Sequence, residues 1–152
     1  NMFNSHKITE KEHDNWTKYI KKQSEEKFYA VFYKDKIVGG LGLKSIKKNK
    51  SAFWSFYTSQ KQKVTGLGAT IEYIALNYFF KTYNFKNLYC FVLNKNKLVI
   101  KLHKKFCFTE SKILYKKKLQ KTHYNKVTQL EISRQGWKRI KNKFNKVFEN
   151  EN

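Results

Sequence analysis

The sequence predicts an α+β fold, with a central, mostly antiparallel mixed sheet flanked by helices. Segments rich in β-branched and aromatic residues, typical of strands, alternate with segments whose apolar residues recur every three or four positions, typical of helices. Their order is a helix, three strands, a helix, a strand, a helix, a hairpin and a last helix. A strand–helix–strand crossover therefore lies in the middle. The 152 residues suit a single domain spanning residues 1–152.

The predicted elements begin with a helix and a group of antiparallel strands. The helix runs from Ser5 to Ile20, where apolar residues lie four positions apart. Three strands follow, and their aromatic and β-branched content indicates Phe28 to Tyr33, Lys36 to Ile46 and Ser51 to Ser59. Lys34-Asp35 between the first two strands predicts a tight hairpin.

The next segment predicts a helix, a buried strand and a second helix. Gly68 to Tyr83 has helical spacing of its apolar residues, Ile71, Ile74, Ala75, Tyr78 and Phe79. Leu88 to Leu93 is an apolar strand that contains Cys90, which we interpret as a core residue. Asn96 to Lys105 is the second helix, with an inward face made of Leu98, Leu102 and Phe106.

A hairpin and an amphipathic helix complete the predicted fold. The hairpin strands are Phe108 to Gln120 and Tyr124 to Ser133, and Ser133 is also a candidate N-cap. The last helix then runs to Phe148. Its lysines lie on one face and its apolar residues on the other, the apolar set being Trp137, Ile140, Phe144, Val147 and Phe148.

The most informative local feature is the glycine turn between the third strand and the helix after it, Gly66-Leu67-Gly68. A turn of this kind leaves backbone N–H groups unpaired at the positive end of the helix dipole, which suits an anion such as phosphate. The two glycines also lack the Cβ atoms that would keep a pyrophosphate away from the backbone. For a single G-x-G taken alone, an ordinary tight turn is the more frequent explanation.

The charge distribution argues against a dedicated nucleic-acid surface. The chain has 33 Lys and Arg against 11 Asp and Glu, a formal net charge of +22, but Arg134 and Arg139 are its only arginines. Arginine is favoured for bidentate recognition of bases and phosphates, and the lysines are spread along the whole chain. We therefore expect a solvated lysine surface without specific nucleic-acid binding. A module that binds nucleic acid through lysines and exposed aromatics stays open.

The sequence also argues against a membrane-spanning segment and against a metal site. No run is long and apolar enough for a membrane span, and no signal peptide is recognisable at Asn1, so we expect a cytoplasmic protein without a membrane partner. Cys90 and Cys107 have no ligand-spaced partners. We therefore expect no metal site.

The middle third of the chain resembles the GCN5-related N-acetyltransferases (GNAT). In that family a strand leads into a Q/R-x-x-G-x-G/A loop that binds the coenzyme A pyrophosphate. The corresponding residues here are Lys63, Val64, Thr65, Gly66, Leu67, Gly68 and Ala69. The family then shows an Asn, a short helix and an aromatic-Lys-x-Gly-Phe ending, which match Asn94 to Asn96 and Lys101 to Phe108. The resemblance implies the GNAT fold and acetyl-CoA as cosubstrate.

The two ends of the chain resemble the sugar-nucleotide N-acetyltransferases of the pseudaminic acid pathway, in Met2 to Trp16 and in Leu130 to Lys138. This implies acetylation of the 4-amine of a UDP-linked aminodideoxy sugar, for nonulosonic acid synthesis and surface or flagellin glycosylation. Such members usually begin with one more strand and an Arg-Asn segment, and neither is found before Asn1. Either the chain is shortened at the front and lacks the first strand, or the acceptor end is built differently. A protein N-terminus or a small amine as acceptor stays open, as does the oligomeric state, with a homodimer as one alternative.

The resemblance also implies roles for residues along the cofactor. The pantetheine arm would bind beside the third strand near Phe56, Tyr57 and Thr58, and Asn96 would hydrogen-bond it. His103 stands beside the cofactor where the family commonly has the Tyr that protonates the departing thiolate. A packing role for His103, with Tyr57, Tyr115 or solvent as the acid, is the alternative.

The acceptor site and the general base are less defined. By analogy Lys44, Ser45 and Trp54 would contact the sugar nucleotide, Lys44 through its diphosphate and Trp54 by stacking; core packing is the alternative for Trp54. His13 is the candidate for acceptor contact or for the base, with a surface position as its alternative. We expect a structural role for Glu72. Cys107 replaces a usual glycine, which predicts a differently shaped loop.

Overall fold

The computed structural model describes residues 25–59, 65–117 and 124–148. The predicted helix from Ser5 to Ile20 lies outside these ranges. The strands are β1 (Lys27–Tyr33), β2 (Lys36–Lys47), β3 (Ser51–Thr58), β4 (Asn87–Leu93), β5 (Thr109–Lys117) and β6 (Tyr124–Ser133). The helices are α1 (Leu67–Thr82), α2 (Lys97–Lys105) and α3 (Arg134–Phe148).

The six strands form one mixed sheet in the order β1-β2-β3-β4-β6-β5. Only β3 and β4 pair in parallel, and α1 crosses between them. The predicted α+β class and the mostly antiparallel mixed sheet are therefore confirmed. Lys34 and Asp35 both have positive φ angles, 47° and 60°, as expected for a two-residue turn that matches the twist of a hairpin.

Strands β3 and β4 separate along their length. They pair only from Ser51 to Phe53 on β3 and from Asn87 to Tyr89 on β4. Beyond these positions β3 continues to Thr58 beside β2, and β4 continues to Leu93 beside β6. Within the described residues, β3 and β4 do not pair with each other beyond Phe53 and Tyr89. The two strands thus diverge on the side where β3 ends and the chain leads to α1, and we call the gap between them the cleft.

The core lies between the sheet and the three helices, which contact one another. Tyr73 of α1 packs edge-on against Trp137 of α3, and its hydroxyl donates to the Asn145 side chain at 2.8 Å. Phe106, directly after α2, stacks on Phe144 of α3. Cys90 is buried in this core, as predicted.

Leu98 of α2, which was predicted to face inward, is 82% exposed. Ile74 and Tyr78, two of the residues whose spacing predicted α1, are also exposed, by 46% and 40%. The buried side of α1 instead follows Glu72, Ala75, Leu76 and Phe79, spaced three and four apart. The spacing rule was sound, but it does not determine which of several overlapping apolar stripes meets the sheet.

Helix α3 is fixed at its start by two polar contacts. The hydroxyl of Ser133 accepts from the Gly136 N–H at 3.0 Å, which confirms the predicted N-cap. The Arg134 guanidinium donates to the backbone carbonyls of Phe80 at 2.7 Å and Phe85 at 2.8 Å. It thereby satisfies a carbonyl in the last turn of α1.

Candidate active site

The start of α1 is open to an incoming anion. Gly66 has the left-handed φ of 78°, and its carbonyl accepts the first helical hydrogen bond from the Thr70 N–H at 3.0 Å. Within the described residues, no side chain caps this helix, and its first turn contains no acidic residue. A Cβ at Gly66 would meet none of the described atoms within 4 Å. The first N–H groups and the positive end of the helix dipole are thus left without a side-chain partner from the described residues.

The glycine turn lies beside the cleft between β3 and β4. A Cβ built on Gly68 would lie 3.5 Å from Cδ2 of Leu102 and 3.9 Å from Cε2 of Phe56. One residue of the turn, one of β3 and one of α2 therefore meet at a single point. Among the residues predicted to bind the cofactor, Thr65 and Gly66 are exposed, and Leu67, Gly68 and Ala69 are partly buried. Lys63 and Val64 lie outside the described residues.

The side chains of β3 alternate between the two faces of the sheet. Phe56 faces the helices, where its ring meets the His103 ring edge-on at a centroid distance of 6.0 Å. Tyr57 lies on the opposite face, where its ring covers Gly40 so closely that a Cβ there would be 2.5 Å from it. Thr58 is exposed at the end of the strand. The structure therefore brings Phe56, but not Tyr57, to His103.

His103 forms a buried pair with Glu72. Nδ1 of His103 lies 2.7 Å from Oε1 of Glu72, and the two side chains are 3% and 0% exposed. Three aromatic rings surround the imidazole, those of Trp54, Phe56 and Phe108, with centroid distances of 5.6, 6.0 and 5.0 Å. The second oxygen of Glu72, Oε2, is buried and has no hydrogen-bond partner. Helices α1 and α2 are thus joined by one polar contact inside an apolar shell.

The electrostatics of this cluster follow from its burial. Loss of water raises the pKa of Glu72, and the hydrogen bond and the charge of His103 partly offset that effect. Burial, together with the nearby Glu72 carboxylate, raises the pKa of the Cys90 thiol well above its usual value. Cys90 is therefore a neutral thiol, and the titratable chemistry of the cluster resides in the His103–Glu72 pair.

Helix α2 is flanked by two residues of the sequence motif, Asn96 before it and Cys107 after it. Asn96 is its N-cap, and its side-chain oxygen accepts from the Val99 N–H at 3.3 Å. Cys107, which follows the helix, has a φ of 63°. The loop therefore keeps the left-handed conformation that a glycine would adopt there, and the prediction of a differently shaped loop is not supported at this residue.

The residues predicted for the acceptor do not meet at the turn. Lys44 pairs with Phe53, at the end of β3 away from Thr58, and its ammonium lies 3.7 Å from the Glu26 carboxylate. Ser45 follows it in an irregular part of β2 with a φ of 50°. Trp54 is only 2% exposed and lies in the core. This position favours the core alternative for Trp54, because neither ring face is free to stack on a ligand.

Of two further candidate residues, one lies away from the cleft and the other lies outside the described residues. Tyr115 is exposed on β5, the edge strand, and β6 separates that strand from β4. It is therefore not placed to serve the cleft as an alternative acid. His13 lies outside the described residues.

The sequence analysis missed the partnership of Glu72 with His103. Its signal was present in the sequence, since Glu72, Ala75, Leu76 and Phe79 follow one helical stripe. A carboxylate on an apolar stripe predicts a buried polar partner. Local spacing could not identify which residue that partner would be, because His103 lies 31 positions away.

Comparison with known proteins decides the family. The model of the acetyltransferase (GNAT) domain matches residues 3–127, most of the chain. The chain belongs to the GNAT acetyltransferases. The sequence resemblance and the fold prediction are thereby confirmed, and this GNAT protein is an acetyl-CoA-dependent N-acetyltransferase. No curated protein sequence matches it significantly.

Solved structures share the fold at low sequence identity. Spermidine N-acetyltransferase from Vibrio cholerae, in complex with CoA and spermine, superposes with a TM-score of 0.77 at 18% identity, over 89% of this chain and 81% of that one. The Campylobacter jejuni N-acetyltransferase PseH, in complex with acetyl coenzyme A, gives a TM-score of 0.68 at 21% identity, over 82% and 79%. At these identities the likeness concerns the fold and leaves the acceptor of this GNAT enzyme to be argued separately.

Two features of the described residues concern membrane and metal functions. None of the described helices has both the length and the apolar character needed to cross a bilayer. Within the same ranges, no three His, Cys, Asp or Glu side chains group as ligands for a metal ion.

Proposed function

We propose that this GNAT enzyme transfers the acetyl group of acetyl-CoA to the 4-amine of a UDP-linked aminodideoxy sugar. The product would serve nonulosonic acid synthesis and the glycosylation of flagellin or other surface structures. The resemblance of the two chain ends to sugar-nucleotide N-acetyltransferases motivates this acceptor. Under this proposal, binding involves acetyl-CoA and a nucleotide sugar, without a specific nucleic-acid partner.

The shape of the cleft supports the binding mode of acetyl-CoA. The pyrophosphate would accept hydrogen bonds from the open N–H groups at the start of α1, from Gly66 to Ala69. The pantetheine arm would then run between the separated edges of β3 and β4, past Phe56. Among the described residues, β3 and β4 pair with each other only as far as Phe53 and Tyr89, and beyond Phe53 the edge of β3 would hydrogen-bond the amides of the arm.

The same cleft would bring the thioester towards His103. A neutral amine attacks the thioester carbonyl, a backbone N–H stabilises the oxyanion, and the C–S bond then breaks. The departing thiolate takes a proton from His103. Because Glu72 occupies Nδ1, Nε2 is the ring nitrogen that remains for this transfer.

One observation carries the choice of acceptor class, namely the sign of the charge. With 33 basic against 11 acidic residues, the protein attracts anions and repels cations over distances of about 10 Å. A UDP-sugar carries a negatively charged diphosphate, whereas a polyamine such as spermine is a polycation. The field therefore favours the nucleotide sugar, even though the spermidine acetyltransferase superposes with the higher TM-score.

A comparison of acceptors tests this proposal. Thiol release from acetyl-CoA is measured with a UDP-4-amino-4,6-dideoxy sugar, with spermidine, and with peptides that have a free N-terminus. We expect the highest kcat/KM with the nucleotide sugar, and a decrease with added salt because charge assists its capture. A higher kcat/KM with spermidine or a peptide would overturn the acceptor assignment while leaving the acetyltransferase activity intact.

A further inference from the structure

We propose that Glu72 is the positioning residue for His103 in the acetyl transfer. Its carboxylate would hold the imidazole with Nδ1 turned into the protein, so that Nε2–H is presented to the sulfur of coenzyme A. The inference rests on the proposed acid role of His103 and extends it to a residue on a different helix. Glu72 itself would touch neither substrate.

The contact has the geometry of a strong charge-assisted hydrogen bond. The distance from Nδ1 of His103 to Oε1 of Glu72 is 2.7 Å, and both side chains are almost completely buried. A carboxylate oxygen facing Nδ1 favours the ring form in which Nδ1 carries a hydrogen. The surrounding Trp54, Phe56 and Phe108 rings restrict rotation of the imidazole. Orientation and tautomer are thus set by the same partner.

Placement in the fold gives the pair access to the reaction. Glu72 lies in the second turn of α1, the helix whose open start is the proposed pyrophosphate site. Leu102, the neighbour of His103, lies against Gly68 of the glycine turn. One helix therefore holds the cofactor at its first turn and the acid's partner at the next. A shift of α1 on cofactor binding would reach His103 directly through Glu72.

Water is excluded from this buried pair, so each member depends on the other for its polar contact. The other titratable group facing it among the described residues is Cys90 of β4, which stays a neutral thiol because burial and the Glu72 charge raise its pKa. Of the groups that face one another here, His103 and Glu72 are therefore the ones left to move a proton.

The proposed step balances as follows. The amine nitrogen forms a bond to the acetyl carbon, the C–S bond breaks, and the sulfur takes the proton from Nε2 of His103. The acylated nitrogen releases its surplus proton to solvent, and the pair regains one proton from solvent before the next turnover. The carboxylate of Glu72 stabilises the imidazolium before transfer, and no electron transfer occurs.

Steady-state kinetics of matched variants test the proposal. Glu72→Gln keeps the shape of the side chain but removes the negative charge that would stabilise the imidazolium from which Nε2–H is donated. We expect kcat to fall by roughly tenfold or more, with KM for acetyl-CoA changed by less than about twofold. The kcat–pH profile of the variant should also differ from that of the wild type, because the carboxylate that faces Nδ1 is gone. Glu72→Asp should restore part of kcat.

Tyr73→Phe is the matched control. It changes the next position of α1 and removes a hydrogen bond of 2.8 Å to Asn145, but it does not touch His103. We expect the Tyr73→Phe variant to be less stable than the wild type but to keep a similar kcat and a similar kcat–pH profile. If Glu72→Gln also keeps the wild-type kcat and pH profile, or if Tyr73→Phe shifts both as strongly, the positioning role is overturned.

A spectroscopic measurement separates this proposal from the choice of acceptor. Nitrogen NMR of His103 needs no acceptor, and it should show Nδ1 protonated in the wild type and a mixture of tautomers in Glu72→Gln. A predominantly Nε2-protonated neutral ring in the wild type would contradict the proposal, whichever amine is acetylated. If the enzyme does not acetylate the UDP-sugar, the kinetics would be measured with another acceptor, and the NMR result would be unaffected.

Discussion

The helices α1 and α2 begin in different ways, although both approach the cleft. At α2 the side-chain oxygen of Asn96 accepts a hydrogen bond from the Val99 N–H and so caps the helix. At α1 the corresponding position is Gly66, which has no side chain, and no other side chain caps the helix. A glycine N-cap costs only a few tenths of a kcal/mol relative to a capping side chain. The difference suits the pyrophosphate site that we propose at the start of α1, whereas the start of α2 is capped by its own Asn96 side chain.

The largest effect should come from closing the open start of α1 sterically. In Gly68→Val the branched side chain would crowd Leu102 and Phe56 and displace the turn that the pyrophosphate would contact, and we expect acetyl-CoA affinity to fall by roughly a hundredfold, about 2.7 kcal/mol. Gly68→Ala is the control, because a Cβ at this position meets only ordinary contacts with Leu102 and Phe56. Calorimetric titration measures both. Unchanged binding in the valine variant would disprove the pyrophosphate assignment.

Substitution of His103 should separate turnover from binding. We expect His103→Ala to lower kcat by roughly a hundredfold, the usual range for one acid–base group, with little change in acetyl-CoA affinity. His103→Tyr, which introduces the usual family residue, should restore part of the rate. Thiol-release assays and calorimetry provide the two readouts. Near-normal turnover in His103→Ala would make it a packing residue beside Glu72.

Removing the Ser133 N-cap of α3 should lower the free energy of unfolding and leave the proposed cofactor site unchanged. Ser133→Ala deletes the hydroxyl that accepts from the Gly136 N–H, and we expect a loss of about 1 kcal/mol in the free energy of unfolding. Urea denaturation measures this change. Acetyl-CoA affinity should stay at the wild-type value, since α3 begins after β6, away from the glycine turn. A large loss of affinity would show that the helix starts are not independent.

The smallest effect concerns the end of α2. Cys107 has a φ of 63°, where a side chain is strained, so Cys107→Gly should raise the free energy of unfolding by up to about 1 kcal/mol. Cys107→Ala is the control, since it removes the thiol but keeps the Cβ. If both variants show equal stability, the left-handed conformation is not the source of strain.

Local signals in the sequence predicted the features that depend on a few neighbouring residues. The hairpin at Lys34-Asp35, the Ser133 cap and the glycine turn at Gly66 are set by short-range sterics and hydrogen bonds, so their residue types reveal them. The α+β class followed from the order of such segments. Strand boundaries agreed to within a few residues because turn residues mark them.

The cleft and its polar pair depend on contacts between distant parts of the chain. The separation of β3 from β4 after Phe53 is a relation between two strands from different parts of the chain, so no single segment encodes it. The partnership of Glu72 with His103 joins two helices, and the outward position of Leu98 depends on which stripe of α2 meets the sheet. Trp54 left two alternatives open for the same reason, since one aromatic residue suits either a core or a binding face.

The most direct test of the proposed anion site introduces a negative charge at Gly66, at the start of α1. Gly66→Asp and Gly66→Asn have the same shape, both side chains tolerate a positive φ, and a Cβ there meets no atom within 4 Å. They differ only in the charge facing the bound pyrophosphate. We predict that calorimetry will show roughly tenfold weaker acetyl-CoA binding for Asp than for Asn, with the gap narrowing as salt is added. Equal affinities for the two variants would contradict the account, because an anion bound at this helix start must be repelled by a carboxylate.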